Sequence, residues 1–353
     1  MGITTTGGVT FGSGLSIRTP VPPSYYLAVG QGDSSLISAY PWSSSSGFGT
    51  KFTSPTSAPG ADRSTAVSFS PQGDAIALSF NAAPTISAYQ WSSSGFGTKF
   101  ANPAPAASAS DGGIAFSPSG NVIAIGGYSS PNLSAYQWSG SGFGTRFADP
   151  AGYLGWVRGV AFSPSGDAVA AALDSYPNIA VYAWSASGFG TKFSDPATLP
   201  PNSGYKVTFS PSSDAIAVAG PDGGGVQGLS VYPWSGSGFG TKFTVPGTVL
   251  LGETTYGTAF SPSGDAIAAA YSGGLSVWQW SGSGFGTKFA GPETALADQT
   301  DVKFSPLGDT IATVGVNPTL SAYPWSGSGF GTRFANPASI PPFSYTLNFG
   351  TIQ

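Results

Sequence analysis

Trp138-Ser139-Gly140-Ser141-Gly142-Phe143-Gly144-Thr145-Arg146-Phe147 is one of seven near-copies in this chain of 353 residues. Its tryptophan recurs at Trp42, Trp91, Trp184, Trp234, Trp280 and Trp325, giving steps of 49, 47, 46, 50, 46 and 45 residues. Each copy continues through Gly-Phe-Gly-Thr to one Lys or Arg and a Phe. Self-similarity at this period marks a solenoid, propeller or array of one repeated supersecondary unit.

Working outward from the copy at Trp184, each repeat reads as four short strands, A to D. Strand A is Gly159-Val160-Ala161-Phe162, stopped by the turn sequence Ser163-Pro164-Ser165-Gly166. Strand B runs from Asp167 to Ala172 in small apolar residues that permit close sheet packing. Strand C is Ile179 to Trp184, and its alternation puts Tyr182 and Trp184 on one face, Ile179 and Val181 on the other. Strand D begins near Phe189, with Phe189, Thr191 and Phe193 expected to share a face opposite Lys192. Four antiparallel strands in a repeat of this length fit a propeller blade. The expected fold is therefore all-β, a seven-bladed propeller over residues 24–353, preceded by an arm at 1–23 that matches no repeat position.

Ring closure follows from spacing. The strand-A phenylalanines Phe69, Phe116, Phe162, Phe209, Phe260 and Phe304 each follow the preceding motif tryptophan by 24 to 27 residues, and Phe349 follows Trp325 by 24. Tyr345 to Phe349 is thus expected to supply strand A of the blade whose other strands are N-terminal. Phe11, the rival, lies 31 residues before Trp42, outside the internal spacing. A C-terminal clasp leaves no half-blade edge open to association.

Composition removes whole classes of chemistry. The chain has no Cys and no His, which excludes disulfides, thiolate nucleophiles and imidazole bases, and no cofactor or metal is expected. Only 8% of residues are charged, against roughly 25% in ordinary domains, and the net charge is −4. No basic cluster suits nucleic acid. No stretch approaches the ~20 apolar residues of a membrane helix, and no secretory leader is expected.

The phrase Phe-Ser-Pro-Ser-Gly-Asp-Ala-(Ile/Val)-Ala at 162–170 and 260–268 resembles the WD40-like propellers. The chain departs from that family in lacking His and in placing Ser, not Asp, after each motif tryptophan, so the family's polar network does not carry over. The wording Leu-Ser-Ala-Tyr-(Pro/Gln)-Trp-Ser-Gly-Ser-Gly-Phe-Gly-Thr is similar to low-charge propeller repeats encoded by tailed phages of marine bacteria. That resemblance implies a virion context.

Strand order sorts the loops onto two faces. The A–B and C–D turns at one end are nearly uniform, whereas the B–C and D–A loops at the other vary. Recognition of an asymmetric partner needs difference, so the candidate binding face is the variable one, with unconstrained loop drift as the alternative. Its best patch is Tyr153, Trp156 and Arg158, joined by Tyr128, Asp174, Tyr176 and Tyr205; aromatics beside Asp and Arg suit sugar stacking or a protein anchor. The alternative is that Trp156 plugs the channel mouth. Asp74, Asp167, Asp214, Asp265 and Asp309 recur at the start of strand B and read as turn residues that accept backbone hydrogen bonds. Lys51, Lys99, Arg146, Lys192, Lys242, Lys288 and Arg333 form an outer ring that reads as edge protection.

The function expected from this reading is non-enzymatic: a phage virion protein on the particle surface, as tail appendage or capsid decoration. Its expected partners are other virion proteins, bound through the arm, and a host-surface glycan or receptor. No nucleic acid and no membrane insertion enter this reading. Synthesis in the host cytoplasm and residence in the virion follow from it. The alternatives are a carbohydrate-active lyase or hydrolase and a WD40-type interaction scaffold.

Overall fold

The computed structural model describes residues 9–10, 16–17, 25–32, 36–55, 63–107, 112–152, 154–225, 227–247 and 250–351. Among them, seven separate four-stranded antiparallel sheets follow one another, and a two-stranded ladder pairs Val9–Thr10 with Ser16–Ile17. The rest of the 1–23 arm lies outside the described residues.

Blade 4 shows the repeat. Strand A (Val157–Phe162) pairs with B (Ala168–Leu173), B with C (Ile179–Ser185), and C with D (Gly188–Lys192). Strand A of blades 2, 3, 5, 6 and 7 is Ser64–Phe69, Ile114–Phe116, Lys206–Phe209, Thr255–Phe260 and Ala297–Phe304. Blade 1 takes its strand A from the C-terminal Ser344–Thr351, which pairs with Tyr25–Gln31 in the register Leu27↔Phe349 and Tyr25↔Thr351. The clasp predicted from spacing closes the ring.

The alternation of strand C divides the core as expected. Ala180, Tyr182 and Trp184 pack with blade 3 residues, while Ile179 and Val181 pack with Val207 and Phe209 of blade 5. Each sheet is therefore buried on both faces, which is why strand B reads Ala168-Val169-Ala170-Ala171-Ala172 without a polar residue. Trp184 sits edge-on to Phe147, Phe162 and Phe189 at centroid distances of 5.2, 5.3 and 4.9 Å. Such pairs add roughly 0.5–1.5 kcal/mol each beyond burial. Phe147 comes from the preceding blade, so this cage is also the joint between blades.

Strand D differs from its expected pattern. The C–D register slips between Tyr182↔Lys192 and Trp184↔Phe189, and the extra residue turns the strand over. Phe189 consequently packs toward blade 3, whereas Phe193 packs toward blade 5, 5.0 Å from Trp234. The two do not share a face.

The length of strand D follows one residue of strand C. Where Gln90, Gln137, Ala183 or Gln279 precedes the motif tryptophan, strand D has five residues; where Pro41, Pro233 or Pro324 does, it has two. Proline has no N–H for the ladder, although its carbonyl still accepts from Gly49, Gly240 or Gly331 at 2.8 Å.

The strand-B aspartates are turn residues whose carboxylates take hydroxyl donors as well as a backbone hydrogen bond. The Ser163 hydroxyl accepts the Ala168 N–H at 3.0 Å and donates to Asp167 Oδ1 at 2.8 Å; Ser165 donates to the same oxygen at 2.6 Å. The carboxylate thus accepts from two hydroxyls besides the backbone, and Ser163 also accepts from the Ala168 amide. These bonds, that from Ser165 foremost, hold Asp167 below the usual carboxylate range despite partial burial.

Candidate functional site

Strand A of every blade starts at the variable face and runs inward along the central axis. What stands four residues before the strand-A phenylalanine decides the channel mouth: Thr65, Gly112, Arg158, Tyr205, Tyr256, Thr300 and Tyr345. In five blades that residue is a β-bulge. The A–B register skips Thr65, Arg158, Tyr256, Thr300 and Tyr345. A bulge re-aims a side chain, and all five line one pocket of about 390 Å³ at the mouth of the channel. Arg63, Tyr205, Lys206, Asp298 and Phe343 complete most of its wall.

Three cations and one carboxylate meet there. Arg158 is held on three sides. Its guanidinium lies 3.6 Å from the Trp156 ring centroid and 4.8 Å from that of Tyr205, and its Nε donates to Asp174 Oδ1 at 2.6 Å. Two aromatic rings and a carboxylate brace on Nε fix a planar cation and leave its terminal nitrogens to a ligand. Arg63 lies over Tyr345 at 5.3 Å. Tyr205 stacks on Tyr256 with centroids 6.1 Å apart and planes 11° from parallel. Burial first, then Tyr205, Asp298 and Glu253, push the Tyr256 hydroxyl above its usual range, although Thr254 opposes them; it stays a proton donor at neutral pH. Asp298 is exposed and held in the left-handed region (φ 49°), its N–H donating to Ser272 O at 2.8 Å. That conformation costs a non-glycine residue about 1 kcal/mol or more and tends to persist where function requires it.

Below the pocket, Lys206 links the mouth to a narrower part of the channel of about 250 Å³. There Asp301, 1% exposed, accepts from Thr346 Oγ1 at 3.0 Å, Leu347 N at 3.2 Å and Val302 N at 3.0 Å. Lys206 Nζ and Lys303 Nζ lie 3.7 and 3.6 Å from its two oxygens. Burial pushes the Asp301 carboxyl up, but Lys303, Lys206, the Leu347 amide and Thr346 together hold it below the usual range. Burial lowers Lys206, Asp301 raises it and Lys303 lowers it again, leaving it below an ordinary lysine.

Of the seven residues expected on the variable face, five come together. Tyr128 meets Trp156 edge-on at 6.5 Å, Trp156 carries Arg158, and Arg158 joins Asp174 and Tyr205. Tyr176 stands 79% exposed and makes no ring contact with this group. Tyr153 lies outside the described residues. The Arg158 guanidinium covers one face of the Trp156 ring. The aligned position four before each strand-A phenylalanine would have revealed Tyr256, Thr300 and Tyr345; nothing local marked Arg63, Lys206 or Asp298. Among the described residues no three Asp or Glu side chains cluster as metal ligands.

The fold and this mouth define a seven-bladed β-propeller with a cationic, aromatic funnel on its variable face. No protein-family model matches the sequence, and no curated protein matches it. Solved structures do. A periplasmic gluconolactonase of Pseudomonas aeruginosa superposes with a TM-score of 0.70 at 15% identity, covering 94% of this chain and 100% of its own. A Bacteroides fragilis protein provisionally described as a 6-phosphogluconolactonase gives 0.69 at 12%, covering 94% and 99%. Its counterpart from Bacteroides uniformis gives 0.62 at 14%, covering 93% and 99%. At such identities the likeness shows the fold.

These neighbours overturn two expectations, the non-enzymatic role and the virion surface protein. The named functions among them are lactonases, and none of the three is described as a virion protein. The architectural part of the earlier resemblance stands; neither the WD40-like kinship nor the phage likeness is shown by them. Low charge and repeated wording describe a surface, and they carry no information about the chemistry at the axis.

Proposed function

We propose that the chain is a hydrolase that opens a sugar-derived lactone in the funnel. The observation that carries this is the convergence of Arg63, Arg158 and Lys206 with Asp298 on one aromatic-walled pocket at the channel mouth. A polyhydroxylated lactone offers ring C–H faces to Tyr205 and Tyr256 and oxygens to the guanidinium groups. Asp298 takes a proton from water as its oxygen attacks the lactone carbonyl. The resulting oxyanion is met by Arg158 and the protonated Tyr256. Collapse breaks the ring C–O bond, and the proton held by Asp298 passes to the departing ring oxygen. A hydroxy acid leaves, its new carboxylate balanced by the same cations.

The lactonase likeness supports this choice of reaction over other hydrolyses. The test is proton release in a pH-stat with glucono-δ-lactone and 6-phosphoglucono-δ-lactone against their spontaneous opening. Turnover that falls about 10²-fold or more in Asp298→Asn is the expected result, by comparison with the 10²–10⁴-fold contribution of a positioned general base. Hydrolysis of both lactones at the uncatalysed rate would overturn the reading.

A further inference from the structure

The opposite, uniform face repeats a groove between blades. At the joints of blades 2 and 3, 3 and 4, and 6 and 7 it holds about 310, 520 and 350 Å³, within the range of small-ligand sites. Equivalent residues line each one. Asp74, Asn121 and Asp265 line them together with Gln90, Gln137 and Gln279 and with Trp91, Trp138 and Trp280, which are no more than 6% exposed. The next blade closes the groove with its C–D turn at Gly140, Ala186 or Gly327.

Each of these three grooves lies at a blade whose strand C carries Gln; blades 1, 5 and 7 carry Pro there and blade 4 carries Ala. The strand-D glycine packs on this strand-C residue in every blade, and in these three it packs on the Gln. A Cβ on Gly97, Gly144 or Gly286 would fall 3.5, 3.5 or 3.2 Å from the Gln Oε1, closer still to its Cβ. The strand-B residues are primed as well. Ser70 donates to Asp74 Oδ1, and Ser261 and Ser263 both donate to Asp265 Oδ1, so these bonds leave Oδ2 to the groove. In blade 5 the same oxygen, Asp214 Oδ2, lies 3.6 Å from the Cβ position of Gly282 in the next blade's turn. In Asn121 the serines likewise occupy Oδ1, which leaves the amide nitrogen as donor.

We infer that these grooves are three equivalent sites for neutral pyranose units of a glycan. An amide that both donates and accepts, a second carboxylate or amide and an indole in the same lining match hydroxyls on an apolar ring. The carboxylates of two grooves repel anionic ligands. Three weak sites on one face raise avidity for a polymer by roughly 10²–10⁴ over a single site, which would hold the funnel near a carbohydrate surface. The inference does not rest on lactone hydrolysis.

The test is an indole ¹H–¹⁵N titration of the tryptophan-labelled chain with methyl β-glucoside, methyl β-galactoside and N-acetylglucosamine, to tens of millimolar. Shifts at Trp91, Trp138 and Trp280, with Trp42 and Trp234 unmoved, are expected for at least one sugar. Gln90→Ala, Gln137→Ala and Gln279→Ala should each silence their own groove; these side chains are exposed, and an unchanged spectrum elsewhere verifies the fold. No shift with any of the three sugars would overturn the inference. So would shifts that include Trp42 and Trp234 or survive the triple Gln→Ala change.

Discussion

Lys206 Nζ lies 3.7 Å from Asp301 Oδ2, although their strands belong to blades 5 and 7 with blade 6 between them. Blade 6 contributes Gly257 at this level, and a Cβ there would stand 2.8 Å from the Asp301 Cα. The absent side chain lets a cation and a carboxylate meet inside the channel. Gly257→Ala therefore forces blade 7 outward. Overpacking of this kind costs roughly 1–3 kcal/mol, to be read from denaturant midpoints, and an unchanged midpoint would show that the axis yields more easily than its contacts imply.

Asp301→Ala removes the partner of two lysines at a site 1% exposed. Breaking a buried pair from one side costs about 3–5 kcal/mol. The pH dependence has a definite sign. The folded carboxyl lies below its ordinary value, so its stabilisation is present above the unfolded pKa and is lost as pH falls through the folded one. Asp301→Asn should flatten the acid limb of stability below about pH 4, measured by urea unfolding at a series of pH values. Lys206 has the opposite bearing: its lowered value means that folding disfavours its charge, and that cost fades as pH rises toward the lysine range.

Arg158→Lys retains a charge but loses the planar group braced by Trp156, Tyr205 and Asp174. Lactone hydrolysis should fall about 10²-fold in kcat/KM, the effect of losing one oxyanion donor. The Trp156 emission should change along with it, since the cation leaves its ring face. Equal kcat/KM for wild type and variant would remove Arg158 from the chemistry.

Removal of residues 344–353 deletes strand A of blade 1 and exposes the edge of Tyr25–Gln31. The truncated chain should lose its single cooperative transition and self-associate through that edge. Sedimentation with thermal unfolding would check it; a monomer with an unaltered transition would mean that the clasp is dispensable.

Much of the architecture was legible because it is written seven times. Trp184, Tyr182, Ile179 and Val181 carry a period-2 pattern that local geometry alone assigns to two faces, and the Phe349 spacing located the clasp. Phe193 was misassigned because a bulge in strand D reverses the alternation after Phe189, and alternation alone does not show where a register slips. Arg158, Tyr205, Trp156, Asp174 and Tyr128 were found as loop residues of unusual composition. Tyr256, Thr300 and Tyr345 were missed as ordinary strand residues. Asp298, Lys206 and Arg63 stand at unrelated places in the chain, and only ring closure brings them to one opening.

By itself the sequence determined the repeat, the number of blades, the two-faced core of each sheet and the strand that closes the ring, since these follow from spacing and from side chains alternating along a strand. Tertiary structure alone decided the function-bearing geometry. The bulges that turn Arg158, Tyr256 and Tyr345 to the axis arise in the A–B pairing of a blade, while the pairing of Lys206 with Asp301 across a glycine and the grooves under Gln90, Gln137 and Gln279 arise between blades. They depend on contacts among residues tens to hundreds of positions apart, which the local pattern of a strand does not encode.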